Sequence, residues 1–224
     1  VIVTGVKTMN NLNNELLKES KEGNLKEVER LLQNGADVHA YNDSALKGAS
    51  ENGHLGVVKL LLQKGANVHA EDDLALSWAS RYGHLEVVRL LLQKGADVHA
   101  NNDFALELAS SDGHLEVVRL LLQNGSDVHA DNDYALRWAS RYGHLEVVKL
   151  LLQKGADVHA NNDFALELAS RYGHLEVVKL IEDYIKDPTV IGSVQEDKPW
   201  YFDEEEQSSL ARALRARYRC KNYE

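Results

Sequence analysis

Apolar residues in this chain recur in a fixed two-part phrase. In residues 137–160, RWASRYGHLEVVKLLLQKGADVHA, small and apolar positions three and four apart lead up to Gly143-His144. A denser apolar run follows: Leu145, Val147, Val148, Leu150, Leu151 and Leu152. The first spacing predicts a helix with one buried face, through Leu136 and Ala139 to Gly143. The second predicts a helix with apolar residues over most of its circumference, which needs neighbours on more than one side. Asp133 is placed to cap the first helix through its carboxylate, with Asp43, Asp73, Asp103 and Asp163 in the same role elsewhere. Gly155 is placed to end the second helix in a left-handed turn.

The phrase at 137–160 nearly repeats that at 77–100, and weaker copies surround both. Gly-His recurs at Gly53-His54, Gly83-His84, Gly113-His114, Gly143-His144 and Gly173-His174, a step of 30 residues. Helices of about ten residues do not hold together singly, whereas stacked pairs bury a continuous core. The ends differ as ends of a stack do: NNELLKESKEGNLKEVERLLQNG carries polar residues where the middle copies are apolar, and Glu182 replaces a leucine. The reading is six helix pairs over residues 10–187, with end caps at about 10–40 and 161–187.

The consensus A-L-x-x-A-S-x-x-G-H-L-E-V-V-x-L-L-L-x-x-G-A-D-V resembles the ankyrin repeat over residues 10–187. The resemblance implies an all-α helical-repeat solenoid, monomeric, that binds other proteins without catalysis. The copies depart from the family pattern in period, 30 residues against about 33. The Thr-Pro-Leu-His opening is also absent, with Asp-Phe-Ala-Leu at 103–106 and Asp-Tyr-Ala-Leu at 133–136. The β-hairpins are therefore expected to be shortened or absent, which shifts binding toward the concave first-helix face. Such short copies also resemble the ankyrin arrays of giant DNA viruses, which implies a host protein as partner.

Positions that change from copy to copy are those that stacking leaves free. The pair before Gly-His runs Glu51-Asn52, Arg81-Tyr82, Ser111-Asp112, Arg141-Tyr142 and Arg171-Tyr172. Trp78 and Trp138 stand 60 residues apart, as do Phe104 and Phe164, so the array reads as a duplicated two-copy block. Tyr, Trp and Arg dominate binding hot spots because they offer large contact areas or forked hydrogen bonding at modest entropic cost. The candidate partner-binding residues are Trp78, Arg81, Tyr82, Trp138, Arg141, Tyr142, Arg171 and Tyr172. For the two tryptophans, packing between copies is the competing role; for the Arg-Tyr pairs it is an arginine stacked in solvent on its own tyrosine.

Charge and composition narrow the function classes. A formal net charge of -10 opposes nucleic acid and anionic lipid. No apolar run approaches the roughly 18 to 20 residues that span a bilayer. Cys220 is the only cysteine, in keeping with an intracellular, cytoplasmic protein, in the host cell if the origin is viral. The ten histidines fall in two registers, after Gly and in Val-His-Ala, and copies about 10 Å apart cannot share a zinc ion. They are read as bracing loop backbone, and, if buried neutral, as a source of instability below about pH 6. No metal, cofactor or small-molecule substrate is expected, and no catalytic constellation appears.

After Pro188 the copies stop. Residues 188–207 read as a linker, and residues 208–222, SSLARALRARYRCKN, as a short basic helix capped by Ser208 or Ser209. That tail is an appendage docked on the last copy or frayed, a local basic contact for nucleic acid or membrane, or a segment that recruits another protein. As a recruiting segment it would make the chain a substrate adaptor that delivers its target to host machinery such as a ubiquitin ligase.

Overall fold

The computed structural model describes residues 8–193, with no side-chain description for Ser193. Helices account for the regular structure throughout, and no strand occurs among the described residues. The pairs are α1 (Met9–Glu22) with α2 (Leu25–Gln33), α3 (Ala40–Glu51) with α4 (Leu55–Gln63), and α5 (Leu74–Arg81) with α6 (Leu85–Gln93). They continue as α7 (Ala100–Ser111) with α8 (Leu115–Gln123), α9 (Ala130–Tyr142) with α10 (Leu145–Gln153), and α11 (Ala160–Tyr172) with α12 (Leu175–Lys186). A short α13 (Val190–Ser193) follows. The expected six pairs are therefore present.

The described residues form two compact units, one running to Leu108 and including Gln123–Ser126, the other comprising Ala109–Leu122 and the described residues from Asp127 onward. In the first unit α3 packs on α1, α4 and α5, while α4 packs between α2 and α6. In the second, α9 packs on α10 and α11, and α12 packs on α10 and α11. Both cores are built from the same registers. Leu46, Leu76 and Leu136 are at most 1% exposed, and Leu61, Leu91 and Leu151 are wholly buried. Each such leucine stabilises the fold by about 1.5 to 3 kcal/mol relative to exposure. The Ala-Ser step of each first helix is buried too, as at Ala79-Ser80 and Ala139-Ser140, all 0% exposed, and its small side chains admit a close neighbour.

The start of each first helix from α3 onward departs from the expected cap: a kink lies just inside α3, α7, α9 and α11 and just before α5. Residues 41–43, 71–73, 101–103, 131–133 and 161–163 all lie at φ between 49 and 62, a run of three left-handed residues in each of the five copies after the first. Left-handed backbone is costly for most L-residues and least so for Asn and Asp. Thirteen of these fifteen positions are Asn or Asp; Tyr41 and Glu71 are the exceptions. With Asp73 itself left-handed, its carboxylate makes no capping bond to its helix. It reaches the next copy instead: Asp73 Oδ1 accepts from the Asp97 N–H at 2.9 Å, and Asp43 Oδ1 from the Asn67 N–H at 2.8 Å. Asp133 Oδ1 does the same for Asp157 N–H at 2.7 Å.

Past the last pair, residues 190–193 form a helical turn where linker was expected. Ile191 is 4% exposed, and its carbonyl accepts a 3.4 Å hydrogen bond from Gln153 Nε2 at the end of α10. The turn packs on α10 and α12 and covers Leu152, which is 2% exposed, whereas Leu62 and Leu92 in the same register are only half-buried. Asp187 begins the turn by accepting hydrogen bonds from the Thr189 N–H and hydroxyl, at 2.9 and 2.7 Å. The expected basic helix at 208–222 lies outside the described residues.

Candidate functional site

Each first helix from α3 onward ends in a turn whose side chains project from the register just before Gly-His. In the first unit, α5 places Trp78 and Tyr82 four residues apart, on one face, and their rings stack with centroids 6.0 Å apart and 16° between planes. The Arg81 guanidinium lies over both, its Cζ 5.2 Å from the Trp78 centroid and 5.9 Å from that of Tyr82. Tyr82 keeps 46% of its surface exposed.

The second unit repeats the stack and enlarges it. On α9, Trp138 and Tyr142 stack at 5.6 Å and 17°, and Tyr134 joins from one turn earlier at 5.4 Å. Arg141 Cζ stands 4.7 Å from Trp138, 5.7 Å from Tyr142, and 4.7 Å from Tyr172 on α11. Three rings thus surround one guanidinium, at distances where cation–π attraction holds. Arg137 lies 4.7 Å over Tyr134 and donates from Nη2 to the Asp131 carbonyl at 2.6 Å. Tyr142 and Tyr172 remain 49% and 47% exposed.

Of the eight expected residues, the structure brings Trp78, Arg81 and Tyr82 together in one cluster and Trp138, Arg141, Tyr142 and Tyr172 in another. Arg171 stands apart from the rings in an ion pair with Glu167, four residues back. The tryptophans are half-buried under their tyrosines, neither sealed in the core nor open to solvent. The arginines are stacked on their neighbouring rings, the arrangement set against partner contact in the sequence reading. That stacking leaves the tyrosine edges exposed. Tyr134 and Arg137 belong to the cluster but were not among the candidates; their signal was the i, i+3, i+4 spacing of Tyr134, Arg137, Trp138, Arg141 and Tyr142.

The histidines divide by register. Nε2–H of His84 donates to the Glu51 carbonyl at 2.9 Å, and that of His144 to the Ser111 carbonyl at 2.8 Å. These rings brace backbone as expected. The Val-His-Ala histidines face a carboxylate instead: His69 Nδ1 lies 3.2 Å from Asp73 and His129 Nδ1 3.1 Å from Asp133. Their side chains are more than half exposed, at 55% and 54%, so burial as neutral groups is not met in this register. Among the described residues no group of three or more His, Cys, Asp or Glu gathers where a metal ion would sit. No helix among them is long and apolar enough to cross a membrane.

The family profile described as Ankyrin repeats (3 copies) matches residues 16–102, 71–132 and 106–190. Helix pairs recurring at a fixed step along the chain define a helical repeat protein. The chain belongs to the ankyrin repeat family. A search of curated proteins finds no match.

Proposed function

We propose that this chain is a non-catalytic scaffold that binds a partner protein on its first helices, at the Trp78-Arg81-Tyr82 cluster of the first unit and at the Trp138-Arg141-Tyr142 cluster with Tyr172 of the second. The observation that carries this reading is the state of Tyr82, Tyr142 and Tyr172. Each is held by stacking or by an arginine, yet keeps close to half its surface open. Side chains fixed before a partner arrives lose little rotamer freedom on binding, so contact area converts to affinity with less entropic cost.

The test is affinity capture from a lysate of the cells in which the protein acts. Wild type is compared with a variant carrying Arg81→Ala, Tyr82→Ala, Arg141→Ala and Tyr142→Ala. The reading expects partners that wild type retains and the variant releases, with both chains folded by circular dichroism. Equal recovery of the same partners would remove the surface assignment.

A further inference from the structure

The arginines of this acidic chain are not used alike. Arg30, Arg89, Arg119 and Arg171 each pair with a glutamate on their own helix, Glu27, Glu86, Glu116 and Glu167. Arg137 and Arg141 have no carboxylate partner among the described residues; they lie over rings instead. The Nε–H of both is buried without an acceptor. Neither guanidinium has a carboxylate beside it among the described residues, in a chain of net charge -10, so an acid arriving from elsewhere would meet an unneutralised charge there.

The geometry points to residues 196–206 of this same chain as the occupant of the Arg137–Arg141 row. The inference rests on reading that row as a binding surface and names what it binds. The segment, EDKPWYFDEEE, carries Glu196, Asp197, Asp203, Glu204, Glu205 and Glu206 against the single Lys198. It also carries Trp200, Tyr201 and Phe202, so it matches both halves of the row: carboxylates for the guanidinium edges and rings for the exposed faces of Tyr142 and Tyr172. Its tether is in range. The α13 turn is bonded to Gln153 at the end of α10, and α10, nine residues long, spans about 13 Å. It begins at Leu145, four residues after Arg141. The seven residues from Val194 to Trp200 span up to about 23 Å when extended. A segment tethered this closely acts at an effective concentration on the order of millimolar, so even weak contacts fill the row in cis.

The experiment uses the full chain and a fluorescein-labelled synthetic peptide of residues 194–207 as probe. Binding is measured by anisotropy for wild type and for a variant carrying Asp203→Lys, Glu204→Lys, Glu205→Lys and Glu206→Lys. Those substitutions spare every described helix. Releasing the cis segment is expected to tighten binding of the probe by at least about tenfold over wild type. Adding Arg137→Gln and Arg141→Gln to that variant is expected to abolish the gain, with melting curves confirming a folded chain. Equal binding by wild type and the tail variant, binding by neither, or binding that survives the arginine changes would each overturn the inference. Concentration-dependent dimerisation of wild type that the tail variant loses would place the segment on a second copy and overturn the cis assignment. None of these failures touches partner capture, which stands or falls on the alanine variant described above.

Discussion

His144 and Gly113 fit one another across two copies: the His144 ring donates from Nε2 to the Ser111 carbonyl at 2.8 Å, and a Cβ placed on Gly113 would stand 2.5 Å from its Nδ1. Gly113 also lies at φ 78, where an L-side chain is strained. Two independent constraints thus hold the same residue to glycine. Gly113→Ala is expected to destabilise the chain by roughly 2 to 4 kcal/mol, read from urea unfolding. In a His144→Ala background the backbone strain stays but the clash goes, so Gly113→Ala should cost less there. Strict additivity of the two changes would show that ring and glycine do not touch.

The left-handed run at the start of the later first helices gives a second test. Asn161 lies at φ 52 and is exposed, so Asn161→Ala places a side chain poorly suited to that backbone without removing packing. The expected loss is about 1 kcal/mol, and Asn161→Gly should lose little or none. If alanine were tolerated as well as glycine, the left-handed run would not be the conformation in solution.

Asp133 joins two copies by bonding both His129 and the Asp157 N–H while only 4% exposed. Asp133→Ala leaves a half-buried N–H and a ring nitrogen without their acceptor, and should cost about 2 to 3 kcal/mol in chemical denaturation. Asp133→Asn keeps an acceptor oxygen and should recover part of that. Asp163, with no further copy beyond it, has 44% of its side chain exposed, and Asp163→Ala is expected to cost clearly less.

The pairing and stacking of helices were legible in the sequence because the same leucine, alanine and glycine registers recur at 30 residues, and stacking alone explains them. The role of the aspartates was not. A carboxylate before a helix suggests a cap, but Asp73 is left-handed and its oxygen points to the following copy. The visible clue was composition: Asn-Asn-Asp at 101–103 and again at 161–163 is the sequence that a left-handed run demands. The clusters were partly legible. Arg141 and Tyr142 stood out by variation, whereas Tyr172 closing over Arg141 depends on the contact between α9 and α11, which spacing along one helix does not reveal.

The buried serines test the packing of the first helices. Ser80 and Ser140 are 0% exposed, and neither hydroxyl has a hydrogen-bond partner. Ser80→Ala removes an unpaired polar group at the same size and raises helix propensity, so it should stabilise the chain by about 1 kcal/mol. A loss of stability in urea would mean that the hydroxyl is satisfied.

At the end of α12, the two hydrogen bonds from Thr189 hold the Asp187 carboxyl below its ordinary value of 3.8. A group whose folded-state value is depressed supports the fold above its unfolded value and loses that support as pH falls through the folded one. The α13 turn should therefore stay docked at neutral pH and loosen only in acid below about pH 4. Carboxyl carbon NMR should show Asp187 titrating below 3.8 in wild type and higher in Thr189→Ala. Identical titrations would separate the turn from Asp187.

The most direct measurement is a hydrogen–deuterium exchange footprint of the full chain with and without a captured partner. Recognition by the first-helix face predicts added protection in the last turns of α5, α9 and α11, covering Trp78 to Tyr82, Trp138 to Tyr142 and the turn that carries Tyr172. Protection confined to the second helices α6, α10 and α12, with those turns unchanged, would contradict it.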